Sequence, residues 1–261
     1  MIQWHKIFAL MWRDVRIVTR VKYRIIDIFY YPIVMTLIWG LFAQYTSTFA
    51  AQAGLIVLVI NMFWSFATLG QQQANILMME DIWSGSLKQI LLSGIHEFEY
   101  LLARQFIGFL IATTMSVFVL GIASQFGLDV IALLPKLVPL ILITLIGSMA
   151  LAGLIASCII WFGREYGFLS WSALQLFIFL SAPFYPVNIM PAWLQAIAQA
   201  MPFTRIFEAA RALATNQAIP PALLWQALGI VLVYFVACYP LYWFAFHRAR
   251  KNGVLARMSA G

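Results

Sequence analysis

The chain has 261 residues, 64% of them hydrophobic and only 10% charged, whereas a water-soluble domain carries about a quarter charged residues. Its mean hydropathy of +0.90 points to lipid as the principal solvent. The net charge of +7 needs no nucleic acid to explain it, because the cations sit at segment ends where headgroups lie.

Residues 1–24 read as an amphipathic helix at 100° per residue, with Trp4, Ile7, Phe8, Met11, Val15 and Val18 on one face and Lys6, Arg13, Arg16, Arg20 and Arg24 opposite. Such a helix lies in the membrane interface, its cations toward phosphates or an acidic protein partner. The segment is too polar for a signal peptide, no cleavage pattern follows, and it is expected to stay attached.

Asp, Glu, Lys and Arg are absent from 28–79, 105–128, 137–163, 166–204 and 212–247. A helix needs about 20 apolar residues to cross the hydrocarbon core, which places spans near 25–45, 53–75, 105–126, 137–162, 166–185 and 223–246. The expected fold is therefore an all-α membrane protein of six transmembrane helices, one domain over 25–261 preceded by the interface helix 1–24.

Basic residues concentrate before the first span, in the second and fourth loops (Lys88, Arg104, Arg164) and in the tail (Arg248, Arg250, Lys251, Arg257). That asymmetry predicts both termini in the cytoplasm. Cys158 and Cys238 fall within predicted helices without a CxxC or Cys/His spacing, so neither a disulfide nor a metal is expected.

Along the second span Asn61, Ser65, Thr68 and Gln72 share one face, which in lipid must meet protein or water. The loop after it, Glu80-Asp81-Ile82-Trp83-Ser84-Gly85-Ser86-Leu87-Lys88-Gln89-Ile90-Leu91-Leu92-Ser93-Gly94, reads as a short cytoplasmic helix with Ser84 as N-cap and Ser93-Gly94 as stop. Leu87, Ile90 and Leu91 give it an apolar face that a neighbouring loop or another subunit must cover. Glu80 and Asp81 can pair with Arg13, Arg16 or Arg20, or with such a subunit.

The predicted fifth span offers Ser172, Gln175 and Phe179 on one side. Beyond it, Tyr185-Pro186, Pro191, Met201-Pro202 and Pro220-Pro221 interrupt apolar stretches too short to cross, predicting a broken, re-entrant helical hairpin. Phe184, Tyr185, Trp193 and Phe203 sit near its boundary, as a belt or an outer gate. Glu208 and Arg211, one turn apart, read as a surface pair.

Glu80 to Gly94 resembles the E-x-x-x-G-T-L-E-x-L-L-x-S-P signature of ABC-2 type transporter permeases, and 181–211 is similar to their F-Y-P-x-x-x-x-P-x-W-L…N-P-x-T…R segment. Ser86, Lys88, Gly94 and Met201 depart from the usual residues of those patterns.

The resemblance implies a permease that exports an amphiphile (a lipid, a lipid-linked glycan or a hydrophobic drug) as one of two copies around a central pathway. A separate ATPase subunit would dock on Glu80, Asp81, Ser84, Gly85, Leu87, Gln89, Ile90 and Leu91, with Leu87, Ile90 and Leu91 as the knob, and would contact the helix carrying Arg13, Arg16 and Arg20. It places the faces bearing Asn61 and Ser172 near the two-fold axis, as candidate pathway lining, with Phe184 and Tyr185 as candidate gate. The chain has no G-x-x-x-x-G-K-[ST] run, so ATP and Mg belong to the partner.

Two other readings stay open. An ion-coupled transporter needs an intramembrane ionisable residue, and only Asp27 stands near one. A scaffold would leave the cytosolic apolar helix unexplained. An intramembrane transferase lacks any acid-base or nucleophile cluster.

Overall fold

A computed structural model describes residues 3–253, the side chains of Asp27, Thr48, Phe49 and Ala51 excepted; Arg257 of the tail lies outside them. Among the described residues all regular structure is helical. The helices are α1 Trp4–Arg20, α2 Lys22–Ser47 and α3 Gln52–Trp83, α4 Ser86–Leu92, α5 Glu97–Ala123, α6 Val130–Phe162, α7 Leu169–Leu180, α8 Ala192–Ala200, α9 Thr204–Ala214 and α10 Pro221–Lys251.

Val21, extended at φ −98° and ψ 93°, turns the interface helix into the first long one. Helical geometry runs from α2 into α3 except at Ala50, whose φ −152° and ψ 54° make the kink between them. Within α2, Pro32 removes the backbone donor that the carbonyl one turn earlier would use, and one turn later the Thr36 hydroxyl donates back to the Pro32 carbonyl at 2.7 Å.

Among the described residues five helices are long and apolar enough to cross a membrane: α2, α3, α5 with its extension to Phe126, α6 and α10. The predicted span over 166–185 is different. It is a 3-10 turn, Arg164–Phe168, leading into the 12-residue α7, which at 1.5 Å per residue reaches about 18 Å, well short of the hydrocarbon core.

The chain nevertheless passes from one end of the bundle to the other there. Ile155, Ile159 and Ile160 of α6 share a cluster with Tyr242, Phe246 and Ala249 of α10 at the end occupied by α1 and α4, hereafter the basal end. The two long helices thus run parallel, and residues 163–220 carry the chain back between them. Pro183 and the positive φ of Ala182 (50°) stop α7 part-way.

The carbonyls of the turn that follows α7 are met by Arg211 of α9, whose Nη1 donates to the oxygens of Ala182 and Pro183 at 2.7 and 2.8 Å. Glu208, expected to pair with Arg211, instead accepts from Arg205 at 2.8 Å. Phe203, expected at the boundary, is fully buried together with Ile206, Phe207 and Leu213, so α9 is a core element.

Small residues bring α3, α5 and α6 together: a Cβ on Gly108 would overlap the Gly70 carbonyl oxygen, and one on Gly70 would overlap Ser148. Because the obstacle at Gly108 is backbone, a Gly108→Val protein cannot relieve the overlap by rotating a side chain. It is expected to lose about 1–3 kcal/mol or more of stability, read as a lowered midpoint of thermal unfolding in detergent, while Gly121→Val, which meets nothing nearby, leaves it unchanged.

Candidate coupling site

The basal end is held by charged groups that have been taken out of water. Arg104 lies two turns into α5 and is 2% exposed, between Asp14 of α1, fully buried, and Asp81 at the end of α3, 4% exposed. Its Nη1 donates to Asp14 Oδ2 and its Nη2 to Asp81 Oδ2. Arg13 reaches across the same pair, donating to Asp14 Oδ1 and Asp81 Oδ1 at 2.9 Å each.

Asp81 also accepts from the Tyr100 hydroxyl at 2.8 Å and the Ser86 hydroxyl at 2.9 Å. The Arg104 guanidinium lies 4.8 Å from the Tyr100 ring centre. Two carboxylates and two guanidiniums therefore balance, and the carboxylate oxygens are saturated, the arrangement a low-dielectric site demands.

Six side chains from four helices meet at this point: Arg13 and Asp14 from α1, Asp81 from α3, Ser86 from α4, and Tyr100 with Arg104 from α5. Three further ties surround it. The Glu99 carboxylate accepts from the backbone N–H of Gln3 at 2.6 Å and of His96 at 2.9 Å, joining the starts of α1 and α5, and Lys6 Nζ donates to the Gly94 carbonyl at 2.5 Å. On the other side Arg24 Nη1 donates to both oxygens of Glu80, at 2.5 and 2.6 Å.

The acidic pair thus uses Arg13, Arg24 and Arg104 rather than Arg16 or Arg20. Arg16 lies over the Trp12 ring at 5.0 Å, and both it and Arg20 are exposed on α1. The apolar face of α1 is also divided. Of its predicted members Ile7 packs inward, beside Leu10 and Asp14 from outside that face, while Trp4 and Phe8 are 54 and 63% exposed.

α4 begins after Gly85, whose φ of 70° makes the turn. Ser84 does not cap it: its hydroxyl donates to the Glu80 carbonyl at 2.7 Å. The apolar face expected to await a partner is covered by the chain itself. Leu87 is 4% exposed in a cluster with Ile7, Leu10, Met78 and Ile82, and Ile90 and Leu91 pack against it. The outward residues are Lys88, Gln89 and Leu92, the last 76% exposed.

Of the face drawn along α3, Ser65 and Thr68 are buried and Asn61 and Gln72 half-buried; Asn61 donates to its own helix at Val57. The amides that cross between helices are Gln71, donating to the Ser170 carbonyl at 3.1 Å, Asn75, donating to Ala152 at 3.3 Å, and Gln105, donating to Met149 at 2.8 Å. On α7, Ser172 and Phe179 are exposed and Gln175 half-buried. Phe184 lies 6.1 Å from Trp64, and Tyr185 packs on Ala182, Met190 and Ala198.

Loss of Arg104 alone would strand Asp14 and Asp81 in the interior, at a cost of about 3–5 kcal/mol. Arg104→Leu is therefore expected to yield little folded protein by size-exclusion chromatography. Adding Asp14→Asn and Asp81→Asn removes the stranded charges and recovers folded material, because an apolar or neutral replacement of a whole buried ionic group is tolerated better than half of it.

No individual curated protein matches the chain. A family model for the ABC-2 type transporter matches residues 5–214, taking in α1 through α9, and the chain belongs to that family, as a multi-pass permease subunit of an ABC transporter.

Proposed function

We propose that this chain exports an amphiphile from the cytoplasm, driven by a separate ATPase that docks on α4, and that it works as a homodimer in a bacterial inner membrane with both termini inside. The observation that carries the reading is the clamp around Arg104, which ties α4 to α1, α3 and α5. A push on α4 would then move two long helices together rather than bend one loop.

On this reading ATP and Mg are bound and hydrolysed by the partner, and this chain performs no catalysis. The docking surface is Lys88, Gln89 and Leu92, bordered by a groove of about 410 Å³ between α4 and the end of α10 that includes Leu91, Ile95 and Arg250. Glu80, Asp81, Gly85, Leu87 and Ile90 support that surface from behind. Asn61 and Gln72 of the α3 stripe and the exposed side of α7 line the pathway, while Ser65 and Thr68, buried, pack between helices; α8 and α9 re-enter from the outer side, and Phe184 and Tyr185 stand where a gate would close.

Leu92→Asp and Leu87→Asp separate docking from folding. Leu92→Asp should keep the wild-type unfolding midpoint and lose copurification of a coexpressed ABC ATPase subunit, whereas Leu87→Asp, which buries a charge, should lower the midpoint itself. An ATPase retained in full by Leu92→Asp, or none bound to the wild type, would overturn the proposal.

A further inference from the structure

α1 carries more positive charge than the clamp uses. Arg13 is held by Asp14 and Asp81, but Arg16 and Arg20 are exposed and make no ion pair among the described residues. With Ala9, Trp12, Arg13 and Ile17 they line a groove of about 360 Å³ along α1.

No acid lines that groove, since Asp14, the one acid of α1, is fully buried in the clamp. A headgroup bearing choline or ethanolamine would find no carboxylate there, and the Trp12 ring that could receive its cation already carries Arg16. A phosphate without such a group meets two guanidiniums whose planar forks match its oxygens.

Val15 and Thr19 stand next in sequence to Arg16 and Arg20 and belong to a second groove, of about 270 Å³, enclosed by α1, α2 and α5. Val18, Ile28, Phe29 and Ile111 are among its walls, and from Ile107 to Met115 it follows α5 for about 12 Å. The Thr19 and Thr114 hydroxyls on its rim donate to their own helices, at Val15 and Leu110, so neither donor is free for a headgroup. An apolar slot that runs along a membrane-spanning helix fits an acyl chain. Trp4, Phe8 and Trp12, all exposed, follow the same edge of α1, as aromatic anchors do at a headgroup boundary.

We infer that this edge of α1 binds one anionic phospholipid, its phosphate on Arg16 and Arg20 and an acyl chain in the groove between α1, α2 and α5. Neither groove contains a residue of α3 or α7, the helices of the proposed pathway, so this lipid is a partner of the permease and not its cargo. It ties α1 to the membrane one turn from Arg13 of the clamp.

The test titrates the full chain in dodecyl maltoside with phosphatidylglycerol, or with phosphatidylcholine of the same acyl chains, and reads bound lipid by native mass spectrometry. One phosphatidylglycerol per chain is expected, with about tenfold preference over phosphatidylcholine. Arg16→Gln/Arg20→Gln should abolish the preference, whereas Arg164→Gln/Lys251→Gln, which removes equal charge from exposed positions elsewhere, should keep it. Leu110→Trp, which fills the apolar groove from an exposed position, should weaken both lipids while the unfolding midpoint stays at the wild-type value.

Equal retention of the two lipids by the wild type would overturn the inference, as would equal loss of preference in both charge variants. A Leu110→Trp protein that keeps its lipid but turns from dimer to monomer would assign the groove to a second copy and overturn it too. So would Arg16→Gln/Arg20→Gln protein that retains phosphatidylglycerol but loses a coexpressed ABC ATPase subunit, since the cations would then belong to that subunit.

Discussion

The basal architecture depends on one guanidinium kept out of water. Arg104 has no solvent to fall back on, so its position is fixed by Asp14 and Asp81, and theirs by it and Arg13. Buried ionic groups of this kind contribute little net stability, because desolvation offsets most of the attraction. What they provide is geometry: α1 has one register against α5 that satisfies all four charges, and Ile7 and Leu10 fill the apolar space on either side of it.

A second constraint comes from lipid, which offers no partner for loose backbone. Pro183 ends α7 inside the bundle, and the chain can leave its carbonyls there because Arg211 arrives from α9. The short helix is then a stable feature. It leaves the segment from Ala182 to Met190 folded on its own small cluster, next to Trp64 of α3.

Hydropathy made five of the long helices legible, since a charge-free block has few alternatives to spanning. It overextended the fifth predicted span because composition does not register where a helix stops, only where apolar residues continue. Arg104 went unnoticed for the opposite reason: used as the edge of a block, it was assigned to a loop, although α5 begins at Glu97. Asp14 carried a usable signal, being the only acid among residues 1–24 and in line with Ile7 and Leu10. Leu87, Ile90 and Leu91 were rightly seen as an apolar face, but periodicity cannot tell whether the cover comes from the same chain or another.

Glu80 and Asp81 connect α2 to the clamp by adjacency. Successive helical residues point about 100° apart, so Asp81 turns into the clamp with α1, α4 and α5 while Glu80 turns toward Arg24 of α2. Any displacement of the end of α3 must move both carboxylates, because the helix between them cannot stretch. If α4 is pushed by a docked ATPase, the Arg104 clamp carries that motion to Asp81, and Glu80 carries it to Arg24 and the start of α2. Force at α4 would thus reach α2 through one rigid turn, without a separate relay through the bundle.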